Sequence, residues 1–119
     1  MLGDGVPQTP SLEENSEAVA EYFAAVVGRD ADGLRRVFAE DAVLQDPVGI
    51  RRGPPEIAGG FVDRFFVSEV FAPEPGPLVI DVDRAAVEIS LLLGGEVVRL
   101  ADFFTIADGK ITRLDVYRS

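Results

Sequence analysis

Three side chains in this sequence are of the types that proton transfer to and from carbon requires: Tyr22, Asp46 and Asp102. Asp102 shares one face of a predicted strand with Leu100 and Phe104, because alternate residues of a strand point the same way. A carboxyl group in such an apolar row either reaches an edge, a turn or water, or is kept protonated by burial. Taken alone, the pattern leaves both interpretations of Asp102 open.

Asp46 and Tyr22 are equally ambiguous when each is considered by itself. Asp46 shares a strand face with Leu44 but directly precedes Pro47, and aspartate before proline is common in turns. Tyr22 lies on the apolar face of a predicted helix, where tyrosine is more often a core residue than a catalytic donor. Together, a carboxylate and two hydrogen-bond donors are the groups that enolisation of a carbonyl compound needs.

The composition restricts the chemistry further. The 119 residues include no cysteine and no histidine, which excludes disulfides, thiol nucleophiles, the usual zinc sites and imidazole catalysis. The net charge of −10 disfavours nucleic acids and membrane surfaces as partners. The first residues do not resemble a leader peptide, and no apolar stretch is long enough to span a membrane, so we expect a cytoplasmic location.

Helical patterns dominate the first half of the chain. Apolar spacing predicts a long first helix that begins between residues 9 and 11 and ends at Val27. Asp30 is predicted to cap a short second helix, and a third helix is predicted to begin near Gly53. Between them, residues 42–46 read as a short strand.

The second half of the chain is predicted to be sheet. The residues from Pro73 to Pro77 indicate a loop, and four strands are expected after it, over residues 78–83, 85–93, 96–107 and 110–118. Gly94-Gly95 and Asp108-Gly109 are typical of two-residue hairpins. Helices followed by an antiparallel meander indicate an α+β fold. We expect residues 1–8 to form a flexible tail and residues 9–119 to form a single domain.

The segment from Phe38 to Gly49 reads FAEDAVLQDPVG and resembles the signature around the catalytic base of bacterial ketosteroid isomerases. These steroid Δ5-isomerases lie within the nuclear transport factor 2-like, or SnoaL-like, superfamily. The family's oxyanion tyrosine lies on the first helix, at the spacing by which Tyr22 precedes Asp46. Its protonated aspartate lies on the penultimate strand, as Asp102 does here. The resemblance covers about residues 12–118.

The resemblance implies a cone-shaped, curved antiparallel sheet wrapped around the long N-terminal helix, with an apolar pocket at its open end. It implies a homodimer that forms through the outer face of the sheet, and a hydrophobic small molecule, a steroid, as the ligand. It implies that Asp46 is the base that isomerises a 3-oxo-Δ5-steroid to the Δ4 enone without cofactor or metal. Tyr22 and neutral Asp102 would then stabilise the dienolate oxygen.

The expected pocket lining and the departures from the family concern other residues. Four apolar residues are candidate substrate contacts, although each could equally be a core residue: Val26, Phe61, Leu100 and Leu114. Many isomerases support the oxyanion tyrosine with two further tyrosines, at positions that align with Phe38 and Phe61. A tryptophan near the base of some members aligns with Arg118, and Tyr117 is expected outside the pocket.

Other functions of the same fold stay open to different degrees. Cyclases and dehydratases of this superfamily usually rely on a histidine, which the chain lacks. Limonene-type epoxide hydrolases use an arginine with an aspartate two residues later, whereas Arg99 is followed at that spacing by Ala101. A non-catalytic binding or association domain stays open, as does a scaffold engineered for unrelated chemistry.

Overall fold

The computed structural model describes residues 12–118. The predicted tail and the predicted beginning of the first helix lie outside the described residues. The helices are α1 (Leu12–Val27), α2 (Ala31–Val37) and α3 (Pro54–Phe61), and α3 continues into a π-helical segment, Val62–Phe66. The strands are β1 (Phe38–Asp46), β2 (Gly49–Arg52), β3 (Phe71–Asp81), β4 (Arg84–Leu93), β5 (Glu96–Ala107) and β6 (Lys110–Arg118). The predicted α+β fold class is confirmed.

The helix boundaries follow from local chemistry. Helix α1 ends at Val27, as predicted, and its last turn is closed by Gly28, whose N–H donates to the carbonyl of Ala24 at 2.9 Å. The carboxylate of Asp30 accepts a hydrogen bond from the N–H of Gly33 at 2.9 Å, which confirms it as the N-cap of α2. Helix α3 begins at Pro54, as the fixed φ of proline favours.

The strands form one six-stranded sheet in the order β2-β1-β6-β5-β4-β3. Every neighbouring pair is antiparallel except β1 and β6, which are parallel. The expectation of a purely antiparallel sheet is therefore wrong for this one pair. Parallel neighbours need a long connection, and here β2, the third helix with its π-helical extension, and strands β3–β5 supply it.

Two strand predictions need correction. The proline-rich stretch from Pro73 to Pro77 is not a loop but part of β3, which lies at the sheet edge and is bulged between Pro75 and Leu78. An edge strand tolerates proline because its outward N–H groups are not needed for the ladder. Strand β1 begins at Phe38 rather than near residue 42, and it forms an unpredicted hairpin with β2.

The core lies between the helices and the inner face of the sheet. Tyr22 and Leu34 from the helices and Phe104, Ile111 and Leu114 from the sheet are all almost fully buried there. Along β4 and β5 buried and less buried residues alternate, which is the pattern of strands with one covered face. None of the helices within residues 12–118 is long and apolar enough to cross a membrane.

Candidate active site

A pocket opens between α1, α3, the π-helical segment and the inner face of the sheet. Its walls are mostly apolar, and the polar groups are those of Tyr22, Asp46, Arg51, Arg64 and Asp102. An apolar cleft with a few converging polar groups is the usual form of a small-molecule site.

The pocket brings the three predicted proton-transfer residues together, because Tyr22, Asp46 and Asp102 all line it. Val26, Phe61 and Leu100 line it as well. Leu114 does not line the pocket. It is fully buried in the core, on β6 where this strand pairs with β1 and β5. The roles of all these residues in binding or transforming a substrate stay predictions.

Asp102 is the buried carboxyl group of the site. It lies on β5 opposite Val87 of β4 and Val116 of β6, and only 2% of it is exposed. Within residues 12–118 no hydrogen bond or ion pair satisfies its side chain. Burial raises the pKa of Asp102 to about 7, because the charged form loses its hydration without gaining a partner. Its carboxyl group can therefore donate a hydrogen bond near neutral pH.

Tyr22 lies on α1 and packs its ring edge-on against the rings of Phe23, Phe38, Phe61 and Phe104, at centroid distances from 4.9 to 6.1 Å. Phe38 and Phe61 are thus next to Tyr22, where the resemblance aligns them with supporting tyrosines. Burial and then the nearby Asp102 charge raise the pKa of Tyr22 well above its ordinary value. Tyr22 therefore stays protonated and can act as a donor.

Asp46 ends β1 and is fully hydrogen-bonded. Its Oδ1 accepts from the N–H groups of Val48 and Gly49 at 2.8 and 3.0 Å, which is the turn geometry that aspartate before proline favours. Its Oδ2 accepts from Nη1 of Arg64 at 2.8 Å and from Nη1 of Arg51 at 3.3 Å. Asp46 therefore forms the turn, as aspartate before proline commonly does, and it also lines the pocket, while its role as a base stays a prediction.

These contacts decide the ionisation of Asp46. Burial would raise its pKa, but the hydrogen bond from Arg64, those from the N–H groups of Val48 and Gly49, and the Arg64 charge outweigh burial and lower it. Asp46 is therefore ionised at neutral pH. Because its proton affinity is reduced, it is a weaker base than a carboxylate without such partners.

The two arginines are functional candidates that the sequence did not reveal. Arg51 lies on β2 and pairs in register with Leu44, which puts it on the pocket side of the hairpin. Arg64 lies in the π-helical segment and also stacks its guanidinium on Phe65, 5.1 Å from the ring centroid. Reading the turn after Asp46 as a β-hairpin would have placed Arg51 by alternation. We find no such signal for Arg64.

Tyr117 and Arg118 lie outside this pocket. Tyr117 is 59% exposed and packs edge-on against Phe103 at a centroid distance of 5.6 Å, on the outer face of the sheet. Arg118 is exposed and does not line the pocket. Within residues 12–118, no cluster of three or more acidic side chains is arranged to hold a metal ion.

Comparison with known proteins finds a family model and solved structures that share this fold. A model of the SnoaL-like domain matches residues 19–114. A "putative polyketide cyclase" from Sinorhizobium meliloti is 29% identical with a TM-score of 0.76, over 98% of this chain and 99% of that chain. A "putative ketosteroid isomerase" from Kribbella flavida is 22% identical with a TM-score of 0.82, over 93% and 81%. A protein of unknown function from Mesorhizobium loti is 18% identical with a TM-score of 0.84, over 96% and 97%. No curated protein sequence matches the chain.

The helices packed on one face of a curved sheet, together with the apolar pocket, give the chain a nuclear transport factor 2-like fold. More narrowly, the chain belongs to the SnoaL-like domain family. At identities below 25%, the likeness to the Kribbella flavida and Mesorhizobium loti proteins shows the fold alone.

Proposed function

We propose that the chain is a cofactor-independent isomerase that moves a proton within an apolar carbonyl compound, and that it converts a 3-oxo-Δ5-steroid to the conjugated Δ4 enone. The observation that carries the proposal is Asp102, a buried carboxyl group without a protein partner among the described residues, in the same apolar pocket as Tyr22 and the ionised Asp46. A neutral acid and a phenol are suitable donors to a developing enolate oxygen.

The proposed mechanism assigns a role to each of these three groups. Asp46 takes the proton from the carbon between the carbonyl and the alkene, and the electrons of the broken C–H bond form the dienolate. Tyr22 and protonated Asp102 donate hydrogen bonds to the dienolate oxygen, where the negative charge develops. Asp46 then delivers a proton to the carbon two positions further along, which gives the conjugated enone. No atoms are gained or lost.

The contacts of Asp46 limit which compounds this site can isomerise. The hydrogen bonds from Arg64 and from the N–H groups of Val48 and Gly49, together with the Arg64 charge, lower the proton affinity of Asp46. The substrate must therefore have an acidic C–H bond for the transfer to be feasible. A carbon between a carbonyl and an alkene meets this condition, because its anion is delocalised over both groups. A simple ketone would be a poorer substrate.

The test is to incubate the protein with a 3-oxo-Δ5-steroid and follow the ultraviolet absorbance of the conjugated enone, with deuterium exchange from D₂O as a second readout. We expect Asp46→Asn to lower the rate by about 10² to 10⁴. Asp41→Asn is the matched control, because Asp41 is an exposed acid on the same strand. Absence of both enone and exchange with the wild-type protein, or an Asp46→Asn rate within about tenfold of wild type, would contradict the proposal.

The contacts of Asp46 favour a second candidate, a domain that binds a small molecule without transforming it. A carboxylate whose two oxygens already accept four hydrogen bonds is suited to a structural role in the mouth of a binding pocket. Steroid binding without enone formation or deuterium exchange is the result that this candidate predicts.

The cytoplasmic location expected from the sequence stays a prediction.

A further inference from the structure

The mouth of the pocket carries more positive than negative charge. Asp46 is one carboxylate, and it is paired with the two guanidinium groups of Arg51 and Arg64. One arginine would neutralise it. The second leaves a surplus positive charge beside an apolar cavity, in a chain whose overall charge is −10. Removing a charge from water is costly without a partner, so this surplus charge calls for an explanation.

Both guanidinium groups also keep hydrogen-bonding capacity. Each uses Nη1 to donate to Oδ2 of Asp46. A guanidinium has five N–H donors, and within residues 12–118 no side-chain hydrogen bond occupies the Nε or Nη2 groups of Arg51 and Arg64. The side chains are only 21% and 32% exposed. The unused donors therefore lie in a partly dehydrated site, where they would bind an anion more strongly than in open water.

Gly60 of α3 leaves room for Arg51 to occupy this position. A Cβ at Gly60 would overlap Nε, Cδ and Cζ of Arg51, whereas a Cβ at the neighbouring Gly59 would meet nothing within 4 Å. Gly60 is not among the glycines with positive φ, so its backbone does not require glycine. The absence of a side chain at Gly60 thus serves the close approach of the Arg51 guanidinium.

We propose that Arg51 and Arg64 form an anion subsite at the mouth of the pocket, which binds a carboxylate attached to an otherwise apolar ligand. The inference rests on the proposed function, because it names a feature of the substrate at the same site. The substrate is then an amphipathic acid, with an apolar carbonyl-bearing body in the cavity and its carboxylate against the two guanidinium groups. Planar bidentate contacts of this kind are what arginine forms with carboxylates.

The direct test compares two ligands that differ only in charge, a 3-oxosteroid with a side-chain carboxylic acid and the methyl ester of the same acid. Isothermal titration calorimetry on the wild-type protein is expected to show that the acid binds at least about tenfold more tightly than the ester, since charge-assisted hydrogen bonds are the stronger ones. Equal affinities, or tighter binding of the ester, would overturn the proposal.

Substitution of an arginine and substitution of Asp46 should change the preference for the acid over the ester in opposite directions. Arg51→Gln and Arg64→Gln are each expected to bring the acid-to-ester ratio close to one, because Asp46 neutralises the arginine that remains. Asp46→Asn is expected to increase the ratio, because it removes the competing carboxylate. A cluster that only fixed the local structure would change the affinities for acid and ester together.

Gly60→Ala and Gly59→Ala provide a matched pair that leaves every charge in place. Both put alanine at a helical glycine of α3, but only Gly60→Ala displaces Arg51. We expect a loss of acid preference in Gly60→Ala and none in Gly59→Ala. If an arginine variant fails to fold by circular dichroism, this pair and Asp46→Asn decide the question, and an unchanged preference in Gly60→Ala would contradict the role of Arg51.

The two proposals fail in distinguishable ways. If the chain is not an isomerase, the acid preference persists while neither enone nor deuterium exchange is observed. If the subsite is wrong, a neutral 3-oxo-Δ5-steroid is isomerised and bound as well as its acidic counterpart.

Discussion

Asp102 is an acidic residue that is almost fully buried. No described residue forms an ion pair or a hydrogen bond with its side chain. In the proposed reaction, Asp102 and Tyr22 act on an oxygen that becomes negative only as the proton leaves carbon. We expect Asp102→Asn and Tyr22→Phe each to lower kcat by about 10² to 10³ while changing KM much less. Steady-state kinetics on the steroid enone measure both constants. A rise in KM alone would show that these residues bind substrate without stabilising the oxyanion.

The same residue makes stability depend on pH. The pKa of Asp102 is about 7 in the folded protein against 3.8 for the free group, so the folded state holds its proton over a range in which the unfolded state has lost it. The free energy of unfolding that is lost through the ionisation of Asp102 is thus zero below pH 3.8 and grows until about pH 7. At about 1.4 kcal/mol per pKa unit, it reaches on the order of 4 kcal/mol.

The expected outcome is a difference between wild type and Asp102→Asn that widens as the pH rises. Relative to wild type, the variant should gain free energy of unfolding between pH 4 and 7.5, because an amide cannot ionise. Urea denaturation at several pH values measures this. Of the other titratable groups that line the pocket, Asp46 stays ionised and Tyr22 stays protonated over most of that range. A difference that does not change with pH would show that Asp102 is not buried as described.

At the scale of secondary structure, the π-helical segment depends on an arginine outside the pocket. Arg29, which follows α1 with a φ of 53°, donates from Nη1 to the carbonyl of Phe66 at 2.7 Å and to that of Ser68 at 2.8 Å. Its guanidinium also lies 5.7 Å from the ring centroid of Phe71. These contacts fix the end of the segment that carries Arg64.

We expect Arg29→Ala to accelerate amide hydrogen exchange across residues 62–70 by about tenfold, since two hydrogen bonds of about 1 kcal/mol each are lost and partly replaced by water. Arg35→Ala is the control, because Arg35 is an exposed arginine of α2 whose ion pair with Asp32 spans 3.6 Å. Exchange that is equal in both variants would mean that Arg29 does not hold the segment.

The elements that the sequence predicted well are those defined by local chemistry. Asp30 caps α2, and Gly94, Gly95, Asp108 and Gly109 all adopt the positive φ that their hairpin turns require. Other features depend on partners that are distant in sequence.

The parallel pairing of β1 with β6 and the edge position that lets β3 accept its prolines are both long-range features. The residues of the site likewise divide into those that local sequence patterns indicate and those that they do not. Tyr22, Asp46 and Asp102 follow from strand and helix patterns together with a family resemblance, and the structure places all of them at the pocket. Arg51 and Arg64 were missed, because β2 is short and charged and a π-helical segment has no sequence pattern of its own.

For the whole molecule, the outer face of the sheet bears an exposed aromatic pair, Phe103 and Tyr117, and the nearby exposed Val79. We propose, as the family resemblance implies, that a second copy of the chain covers this face. Phe103→Glu is expected to shift the protein from dimer to monomer in sedimentation equilibrium, because it puts a charge in an apolar contact. Val67→Glu, at a 69% exposed position after the π-helical segment, is the control. A wild-type monomer at all concentrations would contradict the proposed dimer.

The strand order has a consequence for how the chain acquires its fold during synthesis. β6 is the last strand of the described residues, yet it lies inside the sheet, between β1 and β5. Until a ribosome has released Lys110–Arg118, β1 and β5 both present unpaired edges, and the inner face that Ile111 and Leu114 complete is open. We therefore expect the nascent chain to expose apolar surface until β6 pairs, and exposed apolar surface in incomplete folds is what chaperones bind. We also expect this pairing of β1 with β6 to slow folding, because it joins distant parts of the chain.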